Sequence, residues 1–278
     1  METPGVVAPL PACWVVGHGL LGHALADAWR VRGGKVLTLD AARAADVAGD
    51  AAEEAVLRAA LVQLNPQLVF CCQATGGGDA AAYRRAYTDV VRNLAAVVPH
   101  ARPVFCSSLS VYGAACGRVD EETCPVSPSA RAAVLLETEQ MVQAVGGVVL
   151  RLAPLYGGGR CEVLRRHLAG EPTLPGSDDR ILSYLYVGDA VSALMAAISA
   201  PSDCYNASGE SVRKADLYEG FAAATGVAFS AESAPVSCRG LSDRWVDCSR
   251  LRQLGWFPQM RLRRFAEQCY RSFLPDAP

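Results

Sequence analysis

Short apolar runs and longer amphipathic segments alternate along most of the chain. The short apolar runs lie at residues 12–16, 35–39, 68–72, 104–107 and 148–152. Each has the length and continuous hydrophobicity of a strand that is buried on both faces of a sheet. The segments between them carry apolar residues at helical spacing, most clearly at 80–98 and 127–145. This alternation predicts an α/β fold with a doubly wound parallel sheet.

Three glycines follow the first apolar run at a spacing typical of a nucleotide-binding turn. Residues 17–22 read Gly-His-Gly-Leu-Leu-Gly, the pattern G-x-G-x-x-G between a strand and a helix. The first glycine permits a tight turn, the second lets the backbone approach a pyrophosphate, and the third lets the helix pack closely on the strand. The helix N-terminus then offers unpaired N–H groups to phosphate. The predicted cofactor contacts in this turn are Gly17, Gly19, Leu20, Leu21 and Gly22.

An acid ends the second strand of this unit. Asp40 follows the last glycine at close to the ~20-residue spacing expected for the carboxylate that bonds a ribose. A carboxylate at this point repels the 2′-phosphate of NADP, so the sequence favours NAD. Arg43 can accommodate that phosphate, which keeps NADP as the alternative. A glycine-rich turn without a ligand explains the glycines alone, but not the strand, helix and acid together.

Further cofactor contacts are expected from the later strands. Ligands of doubly wound sheets lie outside the carboxyl ends of the strands. The glycine-rich loop 73–78 follows one apolar run, and a serine pair follows the next. The residues predicted to contact the cofactor there are Gln73, Ala74 and Ser107.

Beyond residue 155 the regular alternation loosens. Strand-like runs at 183–187 and 203–206 and helical patterns at 189–199 and 215–225 are separated by loops rich in glycine or proline. We therefore predict a Rossmann-like dinucleotide-binding domain at 1–155. Residues 156–278 are predicted to complete the sheet and to form a small C-terminal substrate lobe, with a cleft between the two parts.

Composition limits the classes of function. The 278 residues are 51% hydrophobic and 19% charged, with a formal net charge of −2, which is typical of a folded globular protein. No basic stretch supports nucleic-acid binding, and no run of about 18 apolar residues supports a membrane span. The N-terminal residues lack the basic and apolar regions of a signal peptide, so we expect a cytoplasmic protein.

The cysteines do not form a metal-binding pattern. The chain has 11 of them, without a C-x-x-C pair, and its four histidines do not combine with them at zinc spacing. No metal site is therefore predicted, and free thiols in a reducing compartment explain most of the cysteines. Cys116 lies in a loop-like stretch and is a candidate reactive thiol or substrate contact.

Five stretches in order resemble the extended short-chain dehydrogenase/reductase family, the NAD-dependent epimerase/dehydratase group. They are GHGLLG at 17–22, SSLSVYG at 107–113, RLAPLYG at 151–157, RILSYLYVGD at 180–189 and YNASGE at 205–210. The sequence looks most similar to the compact YeeZ-like members. The resemblance implies a Rossmann domain, a small substrate lobe, bound NAD or NADP, and often a dimer built on two long helices.

The chain departs from this family where the catalytic pair should stand. Members that do chemistry usually carry Tyr-x-x-x-Lys on the helix after the SSLSVYG stretch, followed four residues later by an acid. That helix is expected to start at Ser127–Pro128, with the serine as cap. Anchoring on Glu137 as the acid places the pair at Ser129 and Ala133, so neither group is present. A serine without a base cannot replace a lysine-activated tyrosine near neutral pH.

Other residues of the resemblance remain candidates for chemistry. Ser108 matches the family's hydroxyl that bonds the reacting oxygen, and Tyr112 follows it as in the family. The candidate proton donors are then Tyr112, a cysteine of the 113–124 loop (Cys116 or Cys124) or water, although packing in the cleft is the alternative role for this tyrosine. The two residues after Ser108 are not the Asp-Glu of the sugar 4,6-dehydratases, which argues against dehydration. Arg180 is a candidate ligand for a substrate phosphate or carboxylate, with a solvated loop position as the alternative.

Two main interpretations of function remain. The first is an NAD(P)-dependent oxidoreductase or epimerase that acts on a sugar-like or small carbonyl or hydroxyl compound with a non-standard proton donor. The second is a dinucleotide-binding sensor or assembly subunit without turnover. A methyltransferase also starts with a glycine-rich turn, but Asp40 and the later stretches favour a dinucleotide. We expect a homodimer through the alanine- and leucine-rich helices at 80–98 and 128–145, and neither nucleic acid nor membrane as partner.

Overall fold

The computed structural model describes residues 9–229 and 243–274. The strands are β1 Cys13–Val16, β2 Val36–Asp40, β3 Val47–Ala48, β4 Leu68–Cys71, β5 Arg102–Ser108, β6 Cys116–Val119, β7 Val148–Leu152, β8 Leu155–Tyr156, β9 Ile181–Tyr186, β10 Cys204–Ala207, β11 Glu210–Arg213 and β12 Asp243–Val246. The α-helices are α1 Leu20–Val31, α2 Glu54–Gln63, α3 Ala80–Tyr83, α4 Val90–Val97, α5 Ala130–Ala144, α6 Glu162–Leu168, α7 Val187–Ala197, α8 Lys214–Thr225, α9 Ser249–Gln253 and α10 Leu262–Cys269.

The centre of the molecule is a seven-stranded sheet in the order β10-β7-β5-β4-β1-β2-β3. Every neighbouring pair in it is parallel. The chain travels from β1 to β3 in one direction across the sheet and then returns to the other side of β1 at β4. This reversal opens a crevice outside the carboxyl ends of β1 and β4, where ligands of such sheets bind. The predicted α/β class and doubly wound parallel sheet are confirmed.

Two groups of helices cover the sheet. Helix α1 packs against α7, and α4 packs against both α2 and α5. The strands between them are buried on both faces, and the side chains of Trp14, Phe70, Phe105 and Leu150 have no exposed surface. Burial on both faces explains why these strands read as continuous apolar runs in the sequence.

The helix predicted at 80–98 contains one wide turn. It begins at α3, continues through a π-helical segment, Arg84–Asp89, and ends with α4 at Val97. The helix predicted from Ser127–Pro128 instead begins at Ala130, because the Ser129 side chain accepts the Ala132 N–H at 3.2 Å and acts as the cap. Ser127 has a positive φ of 44° and lies outside the helix. This difference of two residues shifts the start of α5.

Residues after β7 form a second, smaller core. Strands β8, β9 and β11 make a three-stranded sheet, and β6 pairs with β12. The small core contains, among others, Tyr156, Leu164, Phe221, Leu262 and Phe265. Strand β10 also comes from this part of the chain, but it joins the central sheet beside β7. The domain boundary at residue 155 stays a prediction.

Within residues 9–229 and 243–274, no helix combines the length and the apolar character that crossing a bilayer requires.

Candidate functional site

A cavity of about 550 Å³ lies at the carboxyl ends of the central strands. The predicted residues that line it are Gly17, Gly19, Leu20, Leu21, Asp40, Arg43, Gln73, Ala74, Ser107 and Ser108. They come from four separate stretches of the sequence. The fold therefore brings the glycine turn, the strand-ending acid and the serine pair into one crevice.

The three glycines of the turn meet different surroundings. A Cβ on Gly17, whose φ is +91°, would lie 2.4 Å from the backbone nitrogen of Gln73. A Cβ on Gly22 would lie 1.9 Å from the Gly17 carbonyl oxygen. A Cβ on Gly19 would meet only the Arg43 guanidinium carbon, at 4.0 Å. The first and third glycines are thus required by the protein's own packing, whereas Gly19 leaves an open approach for a ligand.

Asp40 is held by the backbone around the glycine turn. Its carboxylate accepts N–H bonds from His18 at 2.7 Å and from Ala42 and Arg43 at 2.8 Å. Burial would raise the pKa of Asp40, but these N–H bonds and the Arg43 guanidinium together lower it below its usual value. The group is therefore an ionised acceptor at neutral pH, as a ribose hydroxyl requires.

Gln73 offers an acceptor that no described residue satisfies. Its Nε2 donates to the Ala86 carbonyl at 2.9 Å, which fixes the orientation of the amide. Its Oε1 is buried and has no hydrogen-bond partner among the described residues. A buried acceptor of this kind is stabilised by a donor from a ligand or water. Together with the opening at Gly19, this acceptor fits a bound dinucleotide.

The two serines after β5 have different environments. Ser107 donates to Glu139 Oε1 at 2.5 Å, and Glu139 forms a buried ion pair with Arg151 at 2.7 Å. Ser108 is half-buried, and its hydroxyl oxygen accepts the Ser110 N–H at 3.1 Å. Ser107 therefore anchors the end of the strand, and Ser108 presents a hydroxyl to the cavity.

Tyr112 does not line the cavity, contrary to its predicted place in the cleft. Its side chain has no exposed surface, and its hydroxyl donates to Asn206 at 2.7 Å and accepts from Arg151 at 3.1 Å. Its ring lies between the guanidiniums of Arg151 and Arg244, 5.0 and 5.8 Å from the centroid. Burial raises the pKa of Tyr112 to about 12 despite these partners. The residue is a buried structural tyrosine.

Two predicted substrate contacts also lie outside the cavity lining. Cys116 is exposed at the start of β6, opposite Asp243 of β12, because the 112–124 segment pairs with the C-terminal strand. Arg180 precedes β9, and its guanidinium donates to the Pro175 carbonyl at 2.6 Å. Burial lowers the pKa of Arg180. Neither residue therefore lines the cavity that Ser108 lines.

The residue of helix α5 that lines the cavity is not one of the two expected, Ser129 and Ala133. Ser129 is the helix cap, Ala133 is exposed, and Glu137 bonds to Arg84 on the surface. The cavity-lining residue of this helix is Leu135, and the buried acid one turn later is Glu139. The buried position of Glu139 favours it over Glu137 as the anchor.

Two tyrosines and an arginine are among the cavity-lining residues that the sequence analysis did not predict. Tyr83, just before the π-helical segment, and Tyr87, within it, line the cavity with their ring centroids 5.3 Å apart. Arg160 lines it from the loop after β8. Burial, followed by the neighbouring Tyr83, raises the pKa of Tyr87 to about 12. Single π turns are frequent at functional sites, but their extra residue leaves no mark in a hydrophobic pattern. The useful signal was the pair of tyrosines at i and i+4.

Two thiols complete this wall. Cys72 and Cys106 line the cavity with their sulfurs 3.7 Å apart. No cluster of histidine, cysteine and acidic side chains among the described residues has the makings of a metal site.

Comparisons with known proteins agree with this architecture. A model described as the NAD dependent epimerase/dehydratase family matches residues 13–208. The fold is similar to UDP-glucose 4-epimerase from Thermotoga maritima with UDP-glucose, at a TM-score of 0.79 and 19% identity, covering 94% of this chain and 98% of that one. It is also similar to UDP-glucose 4-epimerase from Thermus thermophilus in complex with NAD, at 0.76 and 21%, covering 94% and 98%. Among curated proteins no sequence match is found.

A dehydratase shares the same fold. The dTDP-glucose 4,6-dehydratase of Bacillus anthracis, in complex with NAD, has a TM-score of 0.78 and 16% identity, covering 95% of this chain and 96% of that one. At these identities the structures establish the fold alone, while the family model spans more than half of the chain. The YeeZ-like resemblance stays a prediction. The chain belongs to the NAD dependent epimerase/dehydratase family.

Proposed function

We propose that this protein binds NAD in the cavity and acts there on a sugar nucleotide or a related small carbonyl or hydroxyl compound. The observation that carries the proposal is the single cavity that joins the glycine turn to the Ser108 hydroxyl. The orphaned acceptor of Gln73 and the open side of Gly19 support a dinucleotide. Similar folds hold NAD or UDP-glucose. NAD supplies a hydride acceptor or donor; the chain itself must position the substrate and move its proton.

Asp40 supports NAD over NADP. Its ionised carboxylate lies in the cavity wall and repels a 2′-phosphate. Arg43 is the residue that keeps NADP as the alternative. Its Nη1 lies 3.8 Å from Asp40 Oδ2, so the carboxylate already offsets part of its charge.

We assign the non-standard proton donor to Tyr83 in place of Tyr112. Tyr83 is half-buried in the same cavity wall as Ser108, and the Arg131 guanidinium lies 5.7 Å from its ring centroid. The family's acid corresponds to Glu139, so its Tyr-x-x-x-Lys positions correspond to Arg131 and Leu135. A phenol beside a guanidinium can pass a proton to or from a substrate oxygen held by Ser108.

One observation favours the second interpretation, a dinucleotide-binding protein without turnover. Leu135 lines the cavity. With Glu139 taken as the family's acid, it stands at the position where active members of the family carry lysine. An apolar side chain there can contact the cofactor but cannot hold a ribose hydroxyl or activate a phenol. A protein that binds the dinucleotide without turnover would need the glycine turn but not the tyrosine and lysine on helix α5.

Cofactor binding is tested by thermal unfolding with NAD, NADP and their reduced forms. Ligand at ~100 times its dissociation constant should stabilise the fold by roughly 2.7 kcal/mol. Asp40→Ala should weaken NAD more than NADP, because it removes the ribose acceptor and the repulsion of the 2′-phosphate. No stabilisation by any of the four would contradict the proposal, and the opposite order would show that Asp40 is not the ribose acid.

Turnover is tested with UDP-glucose and related sugar nucleotides. Tyr83→Phe should lower the rate by ~10²–10⁴-fold, the usual contribution of a positioned acid or base. Tyr112→Phe is the matched control, which should lower stability but leave the rate near that of the wild type. Arg131→Tyr with Leu135→Lys should raise the rate by restoring the missing pair. Full activity in Tyr83→Phe would refute its role, and NAD binding without any turnover would favour the second interpretation.

We also propose a cytoplasmic homodimer. The ten described cysteines are free thiols, as a reducing compartment favours. The helical stretches 80–97 and 130–144 pack side by side and are the proposed interface. Light scattering should give twice the 29.4 kDa chain mass at micromolar concentration, and a monomer would contradict the proposal.

A further inference from the structure

Two arginines from distant parts of the chain line the cavity. Arg43 follows β2, and Arg160 ends the glycine-rich loop after β8. The acids in the same wall are Asp40 and Asp50. The cavity that contains the glycine turn is thus lined by one guanidinium from the N-terminal half and one from the C-terminal half of the chain. The pyrophosphate that such a turn binds is an anion.

The loop 157–160 fixes the position of Arg160. Gly157 donates its N–H to the Arg160 carbonyl at 2.7 Å, and Arg160 returns an N–H bond at 3.0 Å. A Cβ on Gly158 would lie 2.7 Å from the Leu20 side chain, so the loop rests on the first residue of α1. Arg160 is two residues further on. Its backbone is therefore held close to the helix N-terminus.

The guanidinium of Arg160 forms no hydrogen bond or ion pair within residues 9–229 and 243–274. The pKa of the nearby Glu162 is lowered mainly by its bond to Arg165 and in smaller part by the charge of Arg160. The nearby acid Glu162 is already bonded to Arg165 at 2.7 and 2.9 Å. An arginine that lines a cavity and has no hydrogen-bond or ion-pair partner is suited to an anionic ligand.

Arg43 lies beside the glycine that admits the ligand. Its guanidinium carbon is 4.0 Å from the place where a Cβ on Gly19 would stand. Its pairing with Asp40 is long, at 3.8 Å, and its side chain is 61% exposed. The Arg43 guanidinium therefore lies beside the open side of Gly19, where the pyrophosphate is expected.

We propose that Arg160 and Arg43 together bind the pyrophosphate of the dinucleotide at the glycine turn. This inference rests on the proposed function, because it requires a dinucleotide in the cavity. A helix N-terminus offers only about half a positive charge, whereas the pyrophosphate of NAD carries two negative charges. Guanidinium groups supply the missing charge and bind phosphate oxygens through paired N–H groups. The C-terminal segment then contributes to cofactor binding through Arg160.

Calorimetric titration of the full-length protein tests the proposal. Arg160→Gln and Arg43→Gln should each bind NAD and ADP-ribose roughly tenfold to 100-fold more weakly, as expected for a lost charge-assisted hydrogen bond. Adenosine, which lacks phosphate, should bind equally well to wild type and variants. Arg160→Lys should retain part of the affinity because it keeps the charge. Arg58→Gln, which removes a surface arginine paired with Glu54, is the control and should change nothing.

Several outcomes would overturn the inference. Unchanged NAD and ADP-ribose affinity in Arg160→Gln would show that its guanidinium does not reach the pyrophosphate. A loss restricted to UDP-glucose would assign Arg160 to a substrate diphosphate, and a loss restricted to NADP would assign it to the 2′-phosphate. Without ligand, Arg160→Gln should unfold at the same temperature as the wild type. If it does not, Arg160→Lys replaces it in the comparison of affinities. A wild type that binds no dinucleotide would refute the proposed function itself, whereas normal wild-type binding with unaffected variants would refute only this inference.

Discussion

The two walls of the cavity differ in whether the backbone or the side chains determine their shape. The glycine-loop wall consists of Gly17, Gly19, Leu20, Leu21 and Asp40, and each of these predicted residues lines the cavity. The helical wall consists of Tyr83, Tyr87, Ser108 and Leu135. Only Ser108 of the helical wall was predicted. The first wall is shaped by the backbone, and the second by side chains on helices and by Ser108 at the end of β5.

This difference determines which wall a sequence can specify. A missing Cβ has local consequences: a Cβ on Gly22 would lie only 1.9 Å from the Gly17 carbonyl oxygen, and the spacing of the glycines alone indicates such a position. A side chain on a helix reaches a cavity only if the helix has the right rotation. Each residue turns an α-helix by about 100°, so an error of two residues moves the expected face to the opposite side. Anchoring on Glu137 instead of Glu139 produced that error.

The largest expected effect separates these two acids of α5. Glu139→Gln should destabilise the fold by about 3–5 kcal/mol, because it leaves the buried Arg151 without its carboxylate. Glu137→Gln removes a surface pair with Arg84 and should cost about 0–1 kcal/mol. Urea unfolding of both variants gives the comparison. Equal losses would mean that Glu139 is not the acid that supports the helical wall.

The same reasoning explains how much of the molecule was predictable. The central strands and the glycine turn follow from local rules, so the doubly wound parallel sheet and a ligand site at the carboxyl ends of its strands were expected. The start of α5 was missed because Ser127 and Ser129 both resemble caps, and only the hydrogen bond to the Ala132 N–H selects the second. Tyr112 was misplaced because its partners, Asn206 and Arg151, come from strands distant in sequence. Long-range hydrogen bonds of this kind have no local signature.

A smaller effect is expected in the glycine turn, where Gly19 lines the cavity and Gly22 packs behind it. Gly22→Ala should destabilise the fold by roughly 3 kcal/mol, because its Cβ would overlap a backbone oxygen that cannot move independently. Gly19→Ala should lower stability by less than about 1 kcal/mol, since its Cβ meets only the end of Arg43. Its NAD affinity should nevertheless fall, because the Cβ stands where the pyrophosphate approaches. Unfolding curves and NAD titration of both variants measure the two effects separately. Normal NAD binding by Gly19→Ala would place the pyrophosphate elsewhere.

The smallest expected effects are on pH, and the two walls should respond at opposite ends of the scale. The pKa of Asp40 is lowered in the folded protein, so its contribution to stability is complete above the unfolded value of about 3.9 and is lost as the pH falls below it. The pKa of Tyr87 is raised by burial to about 12, so its contribution is complete below the unfolded value of about 10 and is lost as the pH rises towards 12. The alkaline loss at Tyr87 should amount to roughly 1–2 kcal/mol after allowance for solvent. Asp40→Asn should therefore flatten only the acid side of the stability profile, and Tyr87→Phe only the alkaline side. If Tyr87→Phe loses stability between pH 10 and 12 as steeply as the wild type, the hydroxyl of Tyr87 is not buried in the helical wall, and that wall is more open than the structure indicates.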